Sequence, residues 1–232
     1  MKTKRNLYNE SVITKFVDAV AIAVERFCAG EDMHVSISRG NRKMGAVASV
    51  SLVPYVTCPA RALKTCAGDC YAARDCNMYK ETLEAYARNT VLMRHAPHRY
   101  WKEVREAVAT VRFFRFHVGG DIPRYDYFVN MVDTAIMYPH TEILCFTKRY
   151  EVVNKYIDTF GPLPKNLHIM FSGWAGLKPI NPHNLPETNV LFPDEVLPDN
   201  WLMCGGNCSN CGCLGVGCWQ AKAGDVIAFK EH

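Results

Sequence analysis

Eleven cysteines carry most of the chemistry that this chain of 232 residues offers, and nine of them fall in two short segments. The first segment holds Cys58, Cys66, Cys70 and Cys76. The second holds Cys204, Cys208, Cys211, Cys213 and Cys218. Only Cys28 and Cys145 stand alone, both in apolar helix or strand patterns where a thiol behaves as a small hydrophobe. An odd count without an export signal argues against a disulfide framework, and thiols grouped in this way fit metal ligation in a reducing compartment. In the first group, Cys58, Cys66 and Cys70 lie on a loop between a predicted strand and a predicted helix, with Asp69 as the expected helix cap. A helix opening at Cys70 aims backbone N–H groups at the sulfurs, which favours thiolate and suits an anionic cluster. Three ligands without an evident fourth point to a 4Fe–4S iron–sulfur cubane with one iron left open. Cys76 is the competing fourth ligand, and structural zinc is the alternative metal.

The second group packs five cysteines and five glycines into the 15 residues from Cys204 to Cys218. Such a stretch is not a packed core. Its glycines let the backbone wrap closely and offer N–H groups to sulfur. Cys204, Cys208, Cys211 and Cys218 form the expected ligand set of a coordinatively complete iron–sulfur site, with a four-cysteine zinc knuckle as the rival. Cys213 is left over, because a single residue separates it from Cys211. A third feature is Phe113-Phe-Arg-Phe-His-Val-Gly-Gly-Asp121, an apolar strand ending in Gly119, Gly120 and a carboxylate. Glycines there admit a ligand close to the backbone, and Asp121 would receive an ammonium. Lys148-Arg149, after a later strand, reads as solvated surface, with carboxylate or phosphate binding at the barrel mouth as the alternative, and Ser172-Gly173-Trp174 ends another strand and would line the same mouth. His117 and His168 read as satisfied core histidines, and Arg61, Lys64 and Arg74 offset negative charge near the first group.

The elements that must position these residues follow from hydrophobic periodicity. Val12, Ile13, Phe16, Val17, Val20, Val24 and Phe27 make one helical stripe, so residues 1–30 are an N-terminal helix. Strands are expected at His34–Ser38 and Ala46–Val53, with a turn over Gly40–Gly45. A helix from about Cys70 runs to the break at Pro97, and another covers Tyr100 to Thr110. A strand at Phe113–Val118, a helix at Tyr125–Met137 and a strand at Glu142–Phe146 follow. The pattern continues with a helix at Tyr150–Phe160 and strands at Leu167–Ser172, Asn189–Phe192 and Val226–Phe229. Strands alternating with helices imply a parallel sheet. The expected fold is α/β, an incomplete or partial (β/α) TIM-like barrel over residues 31–200, followed by a cysteine-rich segment and last strand over residues 201–232. A doubly wound sheet is the second choice. Half the residues (49%) are hydrophobic and 22% are charged, which excludes a disordered chain. A net charge of +4 gives no indication of a nucleic-acid partner. The apolar run Ala19–Val24 is too short for a membrane span, so a cytoplasmic protein is expected.

On these residues the chain resembles radical S-adenosylmethionine enzymes, whose partial barrel carries three cluster cysteines after its first strand and a Gly-Gly-Glu segment after the second. The spacing here is seven then three residues, Tyr71 follows the third cysteine, and Asp121 stands where that family has Glu. The chain is similar, more closely, to an uncharacterised phage-encoded cysteine-rich domain family. Cys66…Cys70-Tyr71-Ala72, Gly120-Asp121 and Cys208-Ser-Asn-Cys211 carry that likeness. The resemblance implies a radical-SAM-like barrel in an infected host cell. S-adenosylmethionine would sit beside Gly119, Gly120 and Asp121, and the chemistry at an open iron would be reductive. The alternative class is an electron-transfer protein with fully ligated clusters and no small-molecule substrate. Either reading implies a redox partner protein. A zinc-stapled binding module is the third.

Overall fold

The structure, a computed structural model, describes residues 6–231. Helix α1 (Glu10–Cys28) is capped by Asn9, whose side chain accepts from the Val12 amide. Its apolar stripe, Val12, Phe16, Val20 and Ala23, packs on Tyr55, Ala73, Cys76, Leu83, Ala87 and Val91. The N-terminal helix is therefore built into the molecule. Strands β1 (Ile37–Ser38) and β2 (Ala48–Val50) pair antiparallel. The loop after β2 carries a short helix, α2 (Ala60–Leu63), and a 3-10 turn over Cys66–Asp69. Three helices follow in succession, α3 (Tyr71–Met78), α4 (Lys80–His95) and α5 (Pro97–Ala109). Then come β3 (Phe113–Phe116), α6 (Tyr125–Met137), β4 (Glu142–Thr147), α7 (Tyr150–Phe160) and β5 (Leu167–Ser172). The chain finishes with β6 (Glu187–Leu191), β7 (Trp201–Met203), α8 (Cys208–Leu214) and β8 (Val226–Lys230).

All strands form one sheet in the order β1-β2-β3-β4-β5-β6-β8-β7, parallel except for β1. The fold is mixed α/β, and the sheet is open rather than a closed barrel. From β1 to β6 the order advances in one direction, without the reversal that defines a doubly wound sheet. Strand period two divides the side chains between two faces. Phe114, Phe116, Ile143, Cys145, Ile169 and Phe171 join one core with Tyr100, Trp101, Val104, Phe128, Met131 and Val153 from α5, α6 and α7. Phe113, Leu144, Met170 and Ile227 form a second core with Met44, Val47 and Trp219. Trp219 comes from the cysteine-rich segment.

Several expectations are corrected in detail. The helix predicted from Cys70 to Pro97 is two helices, because Tyr79 is extended between them. Asp69 ends the 3-10 turn, and Cys70 precedes α3 without a side-chain cap. The next helix opens at Pro97 rather than Tyr100, since proline suits the first helical position, where its missing N–H costs nothing. The strand expected at His34–Ser38 shrinks to two residues. His34 is drawn away into a polar group with Asp32, Glu103 and Arg99. Strand β7 and helix α8 lie in stretches without hydrophobic periodicity and were not predicted. Helix α8 forms because Asn207 caps it by accepting from the Asn210 amide, and Gly215 ends it in the left-handed region. Among the described residues no helix is long and apolar enough to cross a membrane.

A buried amide sets the start of the sheet. Asn89 on α4, fully buried, accepts from the Ser36 amide (2.7 Å) and donates to the Ser36 (2.9 Å) and Ser51 (3.0 Å) carbonyls. Asn89→Ala leaves these backbone groups unpaired in the interior. It should cost about 3 kcal/mol, read as a fall in the urea midpoint.

Candidate thiol centres

The loop after β2 is held by its own polar groups. The Thr57 hydroxyl donates to the Val53 carbonyl (2.9 Å) and the Tyr55 hydroxyl to the Ala67 carbonyl (2.8 Å). This brings Cys58, Cys66 and Cys70 within electrostatic reach of one another around Tyr55. Burial pushes the Cys58 and Cys70 thiols up, Cys70 to about 11 even though the Ala72 and Ala73 amides and the Lys148 ammonium pull it down. Those two amides belong to the first turn of α3, so the helix does aim N–H groups at a sulfur, as the sequence implied. Cys76 lies one turn further along α3, in the core shared with α1 and within reach of Cys70.

The glycines and the carboxylate after β3 sit beside this loop. Gly119 is pressed against Tyr86, whose ring would stand 2.6 Å from a Cβ there. Gly120, at φ +79°, abuts the Thr57 hydroxyl and the Leu52 carbonyl. The chain itself therefore occupies the room these glycines leave. Asp121 is buried and accepts from the Thr147 hydroxyl (2.6 Å), the Lys148 amide (2.9 Å) and the Ile122 amide (2.7 Å). It clamps the carboxyl end of β3 to that of β4. Lys148, also buried, donates to the Ser172 hydroxyl at 2.6 Å and lies over the Trp174 ring. The ends of β3, β4 and β5 are thus joined in one polar chain beside Cys58 and Cys70. Arg61 is engaged with Glu151 (2.9 Å) and the Tyr150 ring.

The second centre is assembled on the turn over residues 40–45. The Cys208 and Ser209 amides donate to the Lys43 and Met44 carbonyls, and Gly45 is pressed against Ser209 and Asn207. The Cys204 amide donates to Ala228 on β8, and the Trp219 indole donates to the Cys208 carbonyl (2.9 Å). Cys204, Cys208, Cys211 and Cys218 lie in mutual electrostatic reach. Burial raises Cys208 and Cys211, and it pushes Cys218 up to about 12. Gly205 and Gly217 approach the Cys211 sulfur closely enough that a Cβ at either would touch it. Cys213 is exposed and turned away, Cys28 is exposed at the end of α1, and Cys145 is buried on β4. As the side chains stand, no three His, Cys, Asp or Glu among the described residues are placed to hold a single metal ion.

Sequence reasoning missed Arg115. It projects from β3 over the Phe146 ring (4.5 Å), with the Cys208 and Cys218 thiols in its surroundings. Its Nε is buried without a hydrogen-bond partner among the described residues. An arginine inside the run Phe113–Phe116 was the available signal. The rest of the guanidinium is only part-buried, and its Nη2 lies 3.4 Å from the Tyr71 hydroxyl in exposed surroundings.

A family model described as gene product 88 matches residues 31–216. The chain belongs to the gene product 88 family. The matched span starts after α1 and takes in both cysteine groups up to Cys213, leaving Cys218 and β8 outside it. A gene-product family of this kind fits the phage-encoded resemblance. No curated protein and no solved structure matches the chain, so the likeness to radical S-adenosylmethionine enzymes rests on its residues alone.

One histidine is also corrected. His168 is satisfied by Glu142 at 2.6 Å, as expected, whereas His117 is buried with neither ring nitrogen paired among the described residues. Burial and the nearby Arg115 charge push His117 down from 6.5 to about 3. Between those values the unfolded chain binds a proton that the folded protein does not, so stability falls as pH falls through this window. The expected slope is about 1.4 kcal/mol per pH unit. His117 has φ +61°, which asparagine tolerates. His117→Asn should therefore flatten the acid side of a plot of urea midpoint against pH. An unchanged slope would assign it to another group.

Proposed function

We propose that this member of the gene product 88 family is an iron–sulfur protein with 4Fe–4S clusters at two thiol centres on a radical-SAM-like partial barrel. Cys58, Cys66 and Cys70 hold the first cluster, whose fourth iron is either open or closed by Cys76. Cys204, Cys208, Cys211 and Cys218 hold the second. The observation that carries this reading is the convergence of part-buried thiols into two groups, each within electrostatic reach of a basic side chain, Lys148 for the first and Arg115 for the second. When bound, such clusters supply single electrons. The protein's own residues partly cover the thiols and set amides and cations near them. Zinc would draw three or four sulfurs around one ion, to about 3.8 Å apart for tetrahedral Zn–S bonds. A cluster gives each thiolate its own iron and asks for less closeness.

Two uses of the first centre compete. The enzyme reading places S-adenosylmethionine at the open iron, with the Lys148–Ser172 pair and the Gly119–Asp121 segment nearby. The carrier reading closes that iron with Cys76 and uses Lys64 and Arg74 to dock an acidic redox partner. The engagement of both Asp121 oxygens by Thr147, Lys148 and Ile122 favours the carrier, since an incoming ammonium would have to share them.

Anaerobically produced protein should be brown and contain iron and acid-labile sulfide. Colourless protein with stoichiometric zinc and no sulfide, from iron-replete cells, would overturn the proposal. Cys208→Ser with Cys211→Ser should remove about half the iron, while Cys28→Ser and Cys145→Ser should leave it unchanged. Titration of S-adenosylmethionine into the reduced protein then decides between the uses. A changed electron paramagnetic resonance signal means an open iron, and a silent titration leaves the carrier.

A further inference from the structure

At the end of the sheet away from β1, the connection between β6 and β7 folds around an open cleft of about 370 Å³. Trp174, Phe192 and Trp201 line it together with Val190 and Leu191 of β6, and the exposed Glu195 lines it as well. All three rings belong to half-buried residues. Trp174 and Phe192 meet edge to face, with centres 6.0 Å apart and planes at 85°. Two perpendicular rings make a corner rather than a flat platform for stacking.

Each aromatic residue is fixed by its backbone. Trp174 exchanges two hydrogen bonds with Leu177 (3.1 and 2.8 Å), and the Trp201 amide donates to the Pro198 carbonyl (2.9 Å) where β7 begins to pair with β8. Phe192 and Glu195 close one turn from both sides. The Glu195 amide donates to the Phe192 carbonyl (3.0 Å), and the Phe192 amide donates to Oε2 of Glu195 (2.9 Å). Ring and carboxylate are therefore held in one place before any ligand arrives, which lowers the entropy cost of binding.

The charge of this stretch has one sign. No Lys or Arg occurs between Lys178 and Lys222, whereas Glu187, Asp194, Glu195 and Asp199 all do. The Lys148 ammonium lies 5.9 Å from the Trp174 ring centre, but it is buried, bonded to Ser172 and not part of the cleft lining. Aromatic faces and a carboxylate attract a cation and repel an anion. The volume falls in the range of small-molecule sites.

We propose that this cleft binds a small organic cation with a methylated ammonium head, which enters the corner made by Trp174 and Phe192, meets Trp201 and pairs with Glu195. A methylated ammonium suits the cleft better than a primary one, because its methyl groups bury against the rings while its charge faces their π-systems. The proposal does not depend on metal at the thiol centres.

The experiment is a titration of the full chain, followed by calorimetry and tryptophan fluorescence, with choline and with its carbon isostere, in which a neutral quaternary carbon replaces the nitrogen. Choline should bind, and the isostere should bind about tenfold more weakly. Equal affinities mean an apolar groove indifferent to charge, and no response to choline means no site; either overturns the proposal. Glu195→Gln keeps an oxygen for the Phe192 amide and should weaken choline about fivefold. Trp201→Ala should abolish binding, and Trp201→Phe, which restores a ring, should recover part of it. Asp194→Asn, outside the cleft lining, should change nothing. Wild-type affinity in both Glu195→Gln and Trp201→Ala, or a loss in Asp194→Asn equal to that in Glu195→Gln, overturns the assignment. Where Trp201→Ala does not fold, Glu195→Gln and the isostere decide the matter.

Discussion

A parallel sheet needs cover on both faces, and in this chain helices α5, α6 and α7 supply only one of them. The other face presents Phe113, Leu144, Met170 and Ile227. It is closed by a segment with almost no large apolar side chains facing inward. Trp219 is the exception, buried with its ring 5.0 Å from that of Phe113. The rest of the cover is backbone and sulfur. Gly212 lets the body of α8 rest directly on the Phe113 ring, while Leu214 and Val216 point to solvent. The cysteines of this segment therefore pack against the sheet. A metal that ties them together would also fix the lid of the core, because ligation energy and folding energy are then the same quantity.

The same burial sets the electrostatics. Sulfurs removed from water resist ionisation, as the raised Cys58, Cys70 and Cys218 show. The fold places a cation near each group. Lys148, at the end of β4, acts on Cys70, and Arg115, in the middle of β3, acts on Cys208 and Cys218. Asp121 works against this, since its charge raises Cys58. Its hydrogen bonds to β4 hold Lys148 in place, so it serves the geometry of the mouth at some electrostatic cost.

How legible these features were in the sequence depended on the kind of signal. Tyr125–Met137, Tyr150–Phe160 and Leu167–Ser172 were readable to the residue, because their periodicity is clean and turn residues bound them. The spatial thiol groups were readable because short loops keep sequence neighbours together. Cys208 and Cys211 share a face of α8 at i and i+3, which turns Cys213 outward. Arg115 was hidden, since its partners come from Tyr71 and from residues more than 90 positions later. The roles of Gly119 and Gly120 were hidden too, because Tyr86 and Thr57, which fill the space beside them, belong to other elements. Strand β7 is three residues long and partly exposed, and it gives no periodic signal at all.

Strand β8 follows β7 in sequence but lies inside it in the sheet, between β6 and β7. During synthesis, β7 emerges from the ribosome with no partner to bind, and it stays unpaired until Val226–Lys230 has been translated. Cys204 follows β7 directly, and its amide donates to the Ala228 carbonyl. The C-terminal thiols are thus gathered only after β8 has been made, whereas the loop bearing Cys58, Cys66 and Cys70 is complete much earlier.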